Sequence, residues 1–515
     1  MKKIIGIELG STRIKSVLVD EAAAVLATGS FEWENRLVDH LWSYSLEDVE
    51  RGLQASFAAL AADYKEKYGE SLRDVTAIGI SAMMHGYLAF DKDDRLLVPF
   101  RTWRNTNTEN AAAELTELFG FNVPMRWSVA HFHQALLNGE AHVCEVASLN
   151  TLAGYVHYKL TGKRVLGIGD ASGMFPVKGK SYDPERIAQY NALLRRKGVK
   201  VAFDALLPTV MTAGEEAGRL TEEGALWLDP TGNLQAGCVL CPPEGDAGTG
   251  MVATNSVTPG TANVSAGTSG FLMAVLEKEL SKCYSEIDVV ATPHGYPVAM
   301  VHVNNFTSEI NAWAGLFEEA FKALGGGETT RGALFNTLYA KALEGDADCG
   351  GLMGYNFLSG EPIAGVNTGV LMVTRSPSGK LTLGNFMRMQ IYSALASLAM
   401  GYEILAAEDV TIHTICGHGG FFKCPYVGQL AMSAALGAPV AVMENAGEGG
   451  AWGVAVLAIL TARRSTDLEG LLAELFAGVG KTVVSADDNE KRAFRAFMET
   501  YRRGLAVERL ALEVL

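Results

Sequence analysis

This 515-residue chain lacks a cationic surplus, long apolar runs and a paired set of cysteines. Its 43 Lys and Arg stand against 58 Asp and Glu, a formal charge of −15 at pH 7. Such a surface repels a phosphate backbone, which argues against nucleic acid as a partner. A neutral small molecule is not discouraged. An anionic ligand needs local help from backbone N–H groups, lysine or a divalent cation. No apolar run reaches the ~18 residues of a membrane span. Lys2 and Lys3 lead straight into IIGIEL, which is too short for the core of a secretion signal. A cytoplasmic chain with no membrane partner is expected. Cys144, Cys238, Cys241, Cys283, Cys349, Cys416 and Cys424 are scattered and odd in number, the usage of reduced thiols. Cys238 and Cys241 form a C-x-x-C without a second pair or a thioredoxin-like setting, so both are expected in the core. The G-x-x-x-x-G-K-[ST] of a P-loop is absent as well.

The chain does carry apolar residues, 48% of it, and 56 glycines. That is enough for two or more domains with many tight turns. IIGIEL, the turn Gly10-Ser11-Thr12 and SVLVD read as strand, turn, strand, with a third strand from Val25 to Trp33. Ser45 opens a helix with Asp48 three residues on, and Val49, Leu53, Phe57, Leu60 and Tyr64 give it one apolar face. VTAIGIS is the next strand, making a mixed α/β layer. About 250 residues later ANVSAGTSGFLMAV repeats the opening: strand, Gly267-Thr268-Ser269 turn, strand. The repeat predicts two related halves, 1–250 and 251–515, divided near the turn-rich PPEGDAGTG (Pro242 to Gly250). Met389 to Leu405 has a helical pattern. TIHTIC reads as a strand leading to Gly417-His418-Gly419-Gly420. A helix from Pro425 to Leu436 and the strand APVAVM follow.

Turns of Gly with Ser or Thr offer backbone N–H groups and hydroxyls that approach phosphate closely. Gly10, Ser11, Thr12 and Lys15 form one such set, and Gly267, Thr268 and Ser269 the other. Either alone is also an ordinary hairpin turn. Glu8 alternates onto the polar face beside the first turn, where a carboxylate can hold Mg²⁺ or simply face solvent. Asp246, between small residues on an expected sharp turn, is a candidate general base. An ordinary aspartate pKa near ~4 keeps it ionised at neutral pH. Glu244 is its rival. Met84 and His85 follow a strand's carboxyl end, where α/β sheets place ligands. Trp103 and Trp127 are candidate floors of a sugar pocket, or packing.

Together these segments resemble the FGGY family of carbohydrate kinases. GIELGSTRIK is similar to the first phosphate motif, and AIGISAMMHGYLAFD to the substrate loop of the xylulose-specific branch, where a Met-His pair binds sugar. GDASGMF (Gly169 to Phe175) resembles a landmark of the first domain. Glu244 to Gly250 resembles the segment carrying the catalytic aspartate. VSAGTSGFL is similar to the second phosphate motif, CGHGGFFKCPYVGQLAMSAALGAPVAV to the adenosine-binding segment, and Glu448 to Gly453 to the closing Glu-x-Gly-Ala-x-Gly. The resemblance implies an actin/hexokinase/Hsp70-like fold, two ribonuclease H-like α/β domains with a cleft between them. It implies ATP and Mg²⁺ as cofactors and a small sugar as the partner, a ketopentose such as xylulose, phosphorylated at a terminal hydroxyl with Asp246 as base. Met84, His85, Trp103 and Asp246 would hold the sugar. Gly10, Ser11, Thr12, Lys15, Gly267, Thr268, Gly419 and Gly420 would hold the nucleotide, and Glu8 the metal. Homodimers are common in the family. Ribulose or glycerol as substrate, or a non-catalytic nucleotide-binding regulator on the same fold, are the alternatives. The chain departs from the pattern at Glu8, where Asp is usual, at Met83, where Gln is usual, and in Trp103-Arg104-Asn105-Thr106-Asn107, where W-N-D-x-R is usual.

Overall fold

The computed structural model describes residues 2–443 and 449–514, so Glu448 of the closing motif lies outside the described residues. The apolar opening builds β1 (Ile4–Leu9), β2 (Arg13–Val19) and β3 (Val25–Glu32), paired antiparallel in that order. Helix α1 (Leu46–Tyr68) starts as its capping residues require, with the Ser45 hydroxyl accepting from Asp48 N–H at 3.0 Å. It returns the chain to β4 (Ala77–Ala82), parallel to β1. Short strands β5 (Gly218–Arg219), β6 (Val239–Leu240) and β7 (Glu244–Gly245) complete the sheet, in the order β5-β6-β4-β1-β2-β3, with β7 also paired to β4.

Helix α2 (Asp246–Ala253) follows, and the pattern then repeats. The strands β8 (Thr261–Ala266), β9 (Gly270–Val275), β10 (Asp288–Ala291) and β11 (Pro297–Val303) form an antiparallel group. β12 (Thr414–His418) and β13 (Val440–Met443) add in parallel and β14 (Lys481–Val484) antiparallel, in the order β10-β11-β9-β8-β12-β13-β14. Both sheets therefore contain an antiparallel group, three strands in the first and four in the second, continued by parallel ones, as expected of two related α/β units. Helices α3 (Ser308–Ala323), α4 (Leu383–Ala407) and α5 (Val427–Leu436) serve the second sheet.

Three local expectations change. The turn-rich PPEGDAGTG ends in β7 and the first turns of α2 rather than in successive turns. α4 begins at Leu383, where Thr382 caps Asn385 N–H at 3.1 Å. α5 begins at Val427, because Tyr426, with φ 71°, breaks the helical run before it.

The last part of the chain explains why α2 is a helix. α6 (Gly449–Ala462) crosses back onto the first sheet, although it follows the second sheet's β13 in the chain. Gly6 and Gly79 are register partners on β1 and β4 and make its groove. A Cβ at Gly6 would lie 2.0 Å from the Ala451 carbonyl, and one at Gly79 2.5 Å from the Val454 carbonyl. On its other side, a Cβ at Gly453 would lie 2.0 Å from Thr249 O in α2. Backbone thus meets backbone across both contacts, and Met251, Val252, Val454 and Leu457 join one buried cluster. Cys238 and Cys241 are buried free thiols. No described helix is long and apolar enough to cross a membrane.

Gly6→Ala should destabilise the protein by about 1–3 kcal/mol through overpacking. Gly332→Ala, in a helix where an added Cβ meets nothing within 4 Å, should be neutral or stabilising by up to ~1 kcal/mol. Chemical denaturation of both variants checks the contrast, and equal effects would contradict the α6 contact.

Candidate active site

β1, β4 and β7 run parallel, so their carboxyl ends lie side by side: Leu9 is opposite Ala82, and Ala82 opposite Gly245. Three segments leave this edge together: the turn at Gly10, the loop at Met83 to Gly86, and Asp246. Residues just past the carboxyl ends of strands are where such sheets present side chains to ligands.

The first turn closes with Gly10 N–H donating to Arg13 O at 3.0 Å. Its carbonyls are satisfied by neighbouring side chains. Gly10 O accepts from Trp33 Nε1 at 2.8 Å and Ser11 O from the Tyr44 hydroxyl at 2.6 Å, while the Trp33 and Tyr44 rings stack at 4.2 Å. Thr12 is exposed, and Ser11 and Lys15 are half-buried. Lys15 is the register partner of Glu8. Burial pushes the Glu8 carboxyl up to about 7, opposed by the Lys15 charge, reinforced by the Asp246 charge and opposed again by a hydrogen bond from Ala451 N–H. That amide belongs to the first turn of α6, whose dipole favours an anion. The extra methylene of Glu8, relative to Asp, reaches this helix end: a Cβ at Gly450 would lie 2.5 Å from Glu8 Oε1.

Asp246 opens α2 rather than sitting on a free turn. Its Oδ1 accepts from Met84 N–H at 3.1 Å and from Ala247 N–H at 3.0 Å. The residue is exposed, yet protein crowds its carboxylate. This desolvation raises its pKa above the ordinary value, against the two backbone hydrogen bonds. The ordinary pKa expected from sequence is therefore corrected upward. Behind it, Ser81 and Thr249 hydroxyls meet at 2.9 Å and tie β4 to α2.

His85 adopts φ 69° and Gly86 φ 92°, two consecutive left-handed residues that turn the chain sharply after β4. For a histidine this is strained, a feature that clusters at functional sites. Only 6% of His85 and 5% of Met84 are exposed. His85 Nδ1 lies 3.3 Å from Gly173 O and its ring stacks 6.4 Å from Trp127. Burial, then the Arg126 charge, hold His85 neutral. Trp127 is fully buried, so it packs behind His85 and cannot floor a pocket. Trp103 is 39% exposed, on the loop beyond Arg101, and is not brought against Asp246 by any described hydrogen bond or ring contact.

The loop around Trp103 shows why its carboxylate is replaced. Asn105 Oδ1 accepts from Trp42 N–H at 2.8 Å, and its Nδ2 donates to Trp42 O at 2.8 Å and Thr102 O at 3.1 Å. An aspartate has no donor for the last two.

Glu244 is not a base in waiting. It is buried and accepts from Asp170 N–H at 2.9 Å and Gly169 N–H at 3.3 Å, clamping the GDASG segment to β7. Burial, with the Asp170 charge, pushes it up to about 8. Asp170 itself is a residue that sequence reasoning passed over. It is 1% exposed and accepts from Thr151 Oγ1 at 2.6 Å, while its Oδ1 has no partner. Burial pushes it up to about 7, its Thr151 hydrogen bond opposing and the Asp246 charge adding to the rise. GDASG was legible as a landmark, but nothing in it marked the aspartate as a neighbour of Asp246.

In the second half, Gly267 N–H donates to Ser269 O at 3.0 Å. The turn is held by Thr307 Oγ1 to Gly267 O at 2.7 Å and Phe306 N–H to Thr268 O at 2.9 Å. Thr268 is exposed. Gly419, with φ 104°, lies against this turn: a Cβ there would be 2.4 Å from Ala266 O, whereas one at Gly420 would meet nothing within 4 Å. The nucleotide candidates thus form two clusters, Gly10 to Lys15 on the first sheet and Gly267, Thr268, Gly419 and Gly420 on the second. Among the described residues no group of three or more His, Cys, Asp or Glu could hold a metal ion by itself.

Comparison with known proteins gives two family matches. The model of the N-terminal domain of the FGGY family of carbohydrate kinases matches residues 3–229, and that of the C-terminal domain residues 262–462. A xylulose kinase of Haemophilus influenzae is 23% identical over 477 residues, which is 86% of this chain and 91% of that protein. Among solved structures, a ligand-bound xylulose kinase from Lactobacillus acidophilus superposes with a TM-score of 0.80 at 17% identity, covering 98% of this chain and 99% of that one. A gluconate kinase from the same organism gives 0.78 at 17% identity, over 98% and 99% of the two chains. At that identity the two likenesses speak to the fold.

The raised Asp170 carboxyl predicts a sign for stability against pH. A raised acid contributes fully below its ordinary value, near ~4, and loses that contribution as pH climbs through its folded value, here about 7. Asp170→Asn should therefore gain melting temperature relative to the unmodified protein as pH rises from about 5 to about 8. Thermal unfolding across that range measures it. A pH-independent difference would contradict the shift.

Proposed function

The chain belongs to the FGGY family of carbohydrate kinases, and from that premise we propose that it transfers the γ-phosphoryl group of ATP to a terminal hydroxyl of xylulose, with Asp246 as general base. The observation that carries this reading is Asp246 itself: a solvent-reachable carboxylate, aimed by the Met84 amide and one residue from His85 along that loop. The substrate assignment rests on the Met84-His85 pair and on the xylulose kinases among the relatives.

In this reading the sugar lies against the Met84 to Gly86 loop. The neutral His85 ring can donate or accept to a hydroxyl but carries no charge to attract a rival anion. Asp246 accepts the proton of the attacking hydroxyl. Its upward-shifted pKa makes it a better proton acceptor than a solvated aspartate, at the cost of losing the ionised form sooner as pH falls. The ATP phosphates lie between the two glycine turns, with Lys15 and backbone N–H groups opposing their charge. Thr268, Gly419 and Gly420 belong to the nucleotide side, and Trp103 to the sugar side. Phosphoryl transfer has little covalent chemistry for the protein to perform, so alignment and charge neutralisation supply the rate.

Glu8 fits a role toward Mg²⁺: a carboxylate raised to about 7 by burial gains from a nearby cation, and Mg²⁺ commonly takes one carboxylate with phosphate oxygens completing its shell. When bound, the ion would neutralise phosphate charge. Mg²⁺ dependence, a cytoplasmic location and a homodimeric state are all parts of this proposal.

Asp246→Asn should fold and bind ATP normally yet lose sugar-dependent ADP release by about 100-fold or more, the usual weight of a positioned base. Near-normal turnover would remove Asp246 from the role. A coupled ADP-release assay over pentuloses, hexuloses, gluconate and polyols should peak with xylulose. A peak with glycerol or gluconate would move the substrate, and sugar-independent turnover throughout would favour the regulator.

A further inference from the structure

The hairpin of β10 and β11 belongs to the second sheet but is fastened to the first half. Asn122 Nδ2 donates to Ile287 O at 3.0 Å and to Asp288 Oδ1 at 2.9 Å. Arg126 forms an ion pair with Asp288, their side chains only 22% and 13% exposed. Ala291 N–H donates to Ser172 Oγ at 2.9 Å, and Ala213 N–H to Pro293 O at 2.9 Å. Val290, Val298 and Met300 join the buried cluster that contains Met84 and Trp127.

Two of these anchors touch the segments that shape His85. Arg126 O accepts from Gly86 N–H at 3.1 Å, and Trp127 stacks on the His85 ring. Ser172 precedes Gly173, whose carbonyl faces His85 Nδ1. At its other end β11 runs through Asn304 and Asn305 into Phe306 and Thr307, the residues that grip the Gly267-Thr268 turn. The loop at Asn304 is itself fixed by Glu361, which accepts from its N–H at 3.2 Å. The paired strands β10 and β11 therefore join the underside of the sugar loop to the second glycine turn. Burial lowers both His85 and His302, which lie in opposite halves, and the Arg126 charge adds to each, as expected of a cation at their junction.

We infer that Arg126 is a positioning residue: paired with Asp288, it couples occupancy of the Gly267-Thr268 turn to the order of the His85 loop. The inference rests on the proposed nucleotide site. The pair is partly desolvated, so removing one partner strands a charge in protein rather than in water, which makes it a coupling element and not an ornament of the surface. Nothing in the chemistry of transfer requires Arg126 to touch either ligand.

Amide hydrogen exchange with Mg·ADP and no sugar tests this, since the probe is the nucleotide alone. In the unmodified protein, exchange should slow at 267–270, and also by at least about fivefold, the lower end of ordinary site-to-site coupling, at 122–128 and 170–174. In Asp288→Asn and Arg126→Gln the protection at 267–270 should persist while that at 122–128 disappears. Asp288→Glu should retain both. Unchanged exchange within β8 and β9 confirms folding of each variant. Nucleotide protection confined to 267–270 in the unmodified protein, or distant protection that survives in both variants, would overturn the inference. No protection at 267–270 at all would instead remove the nucleotide site, and this inference with it.

Discussion

Everything at the candidate site depends on the close approach of α6 to the first sheet and to α2. Three glycines permit it: Gly6 and Gly79 where α6 meets the sheet, and Gly453 where it meets α2. Contacts of this kind are costly to alter because backbone cannot change rotamer to relieve a clash. They also carry position accurately. The first turn of α6 sets the Ala451 amide on Glu8, and its next turn sets the height of α2, whose first residue is Asp246. Asp246 and the Glu8 carboxylate beside the first glycine turn are thus indexed to one helix.

That arrangement concentrates negative charge. Glu8, Asp170, Glu244 and Asp246 all have carboxyl groups raised by burial, and Coulomb repulsion adds to the rise for Glu8, Asp170 and Glu244. Burial of this kind disfavours the charged form of each carboxylate. Glu244 is compensated by two backbone amides and is therefore structural. Asp246 has two backbone donors and is exposed, and so keeps contact with solvent. Two carboxylates two positions apart have two fates, divided by what surrounds them. Local sequence could not make this division, because both acids sit within the same turn-like stretch.

Much of the molecule was nonetheless readable. The strand-turn-strand repeats at Gly10 and Gly267, the cap at Ser45 and the strand before Met84 all depend on residues within a few positions of one another, and the structure has each of them. The reading failed where long-range packing overrides local preference. PPEGDAGTG has turn composition but becomes strand and helix because β4 and α6 enclose it. Trp127 was offered as a pocket floor but is sealed behind His85. Asp170 and Arg126 carried no signal at all, since their importance lies in partners 76 and 162 residues away in the chain, Asp246 and Asp288.

By itself the amino-acid order determined the periodicities, the glycine turns, the caps and the family resemblance, because each is written in short-range chemistry. The tertiary structure alone decided which acid faces solvent, which histidine is held neutral and which second-half hairpin reaches the segments around His85. The physical reason is that charge, burial and coupling are properties of a three-dimensional neighbourhood, and this one is assembled from both ends of the chain.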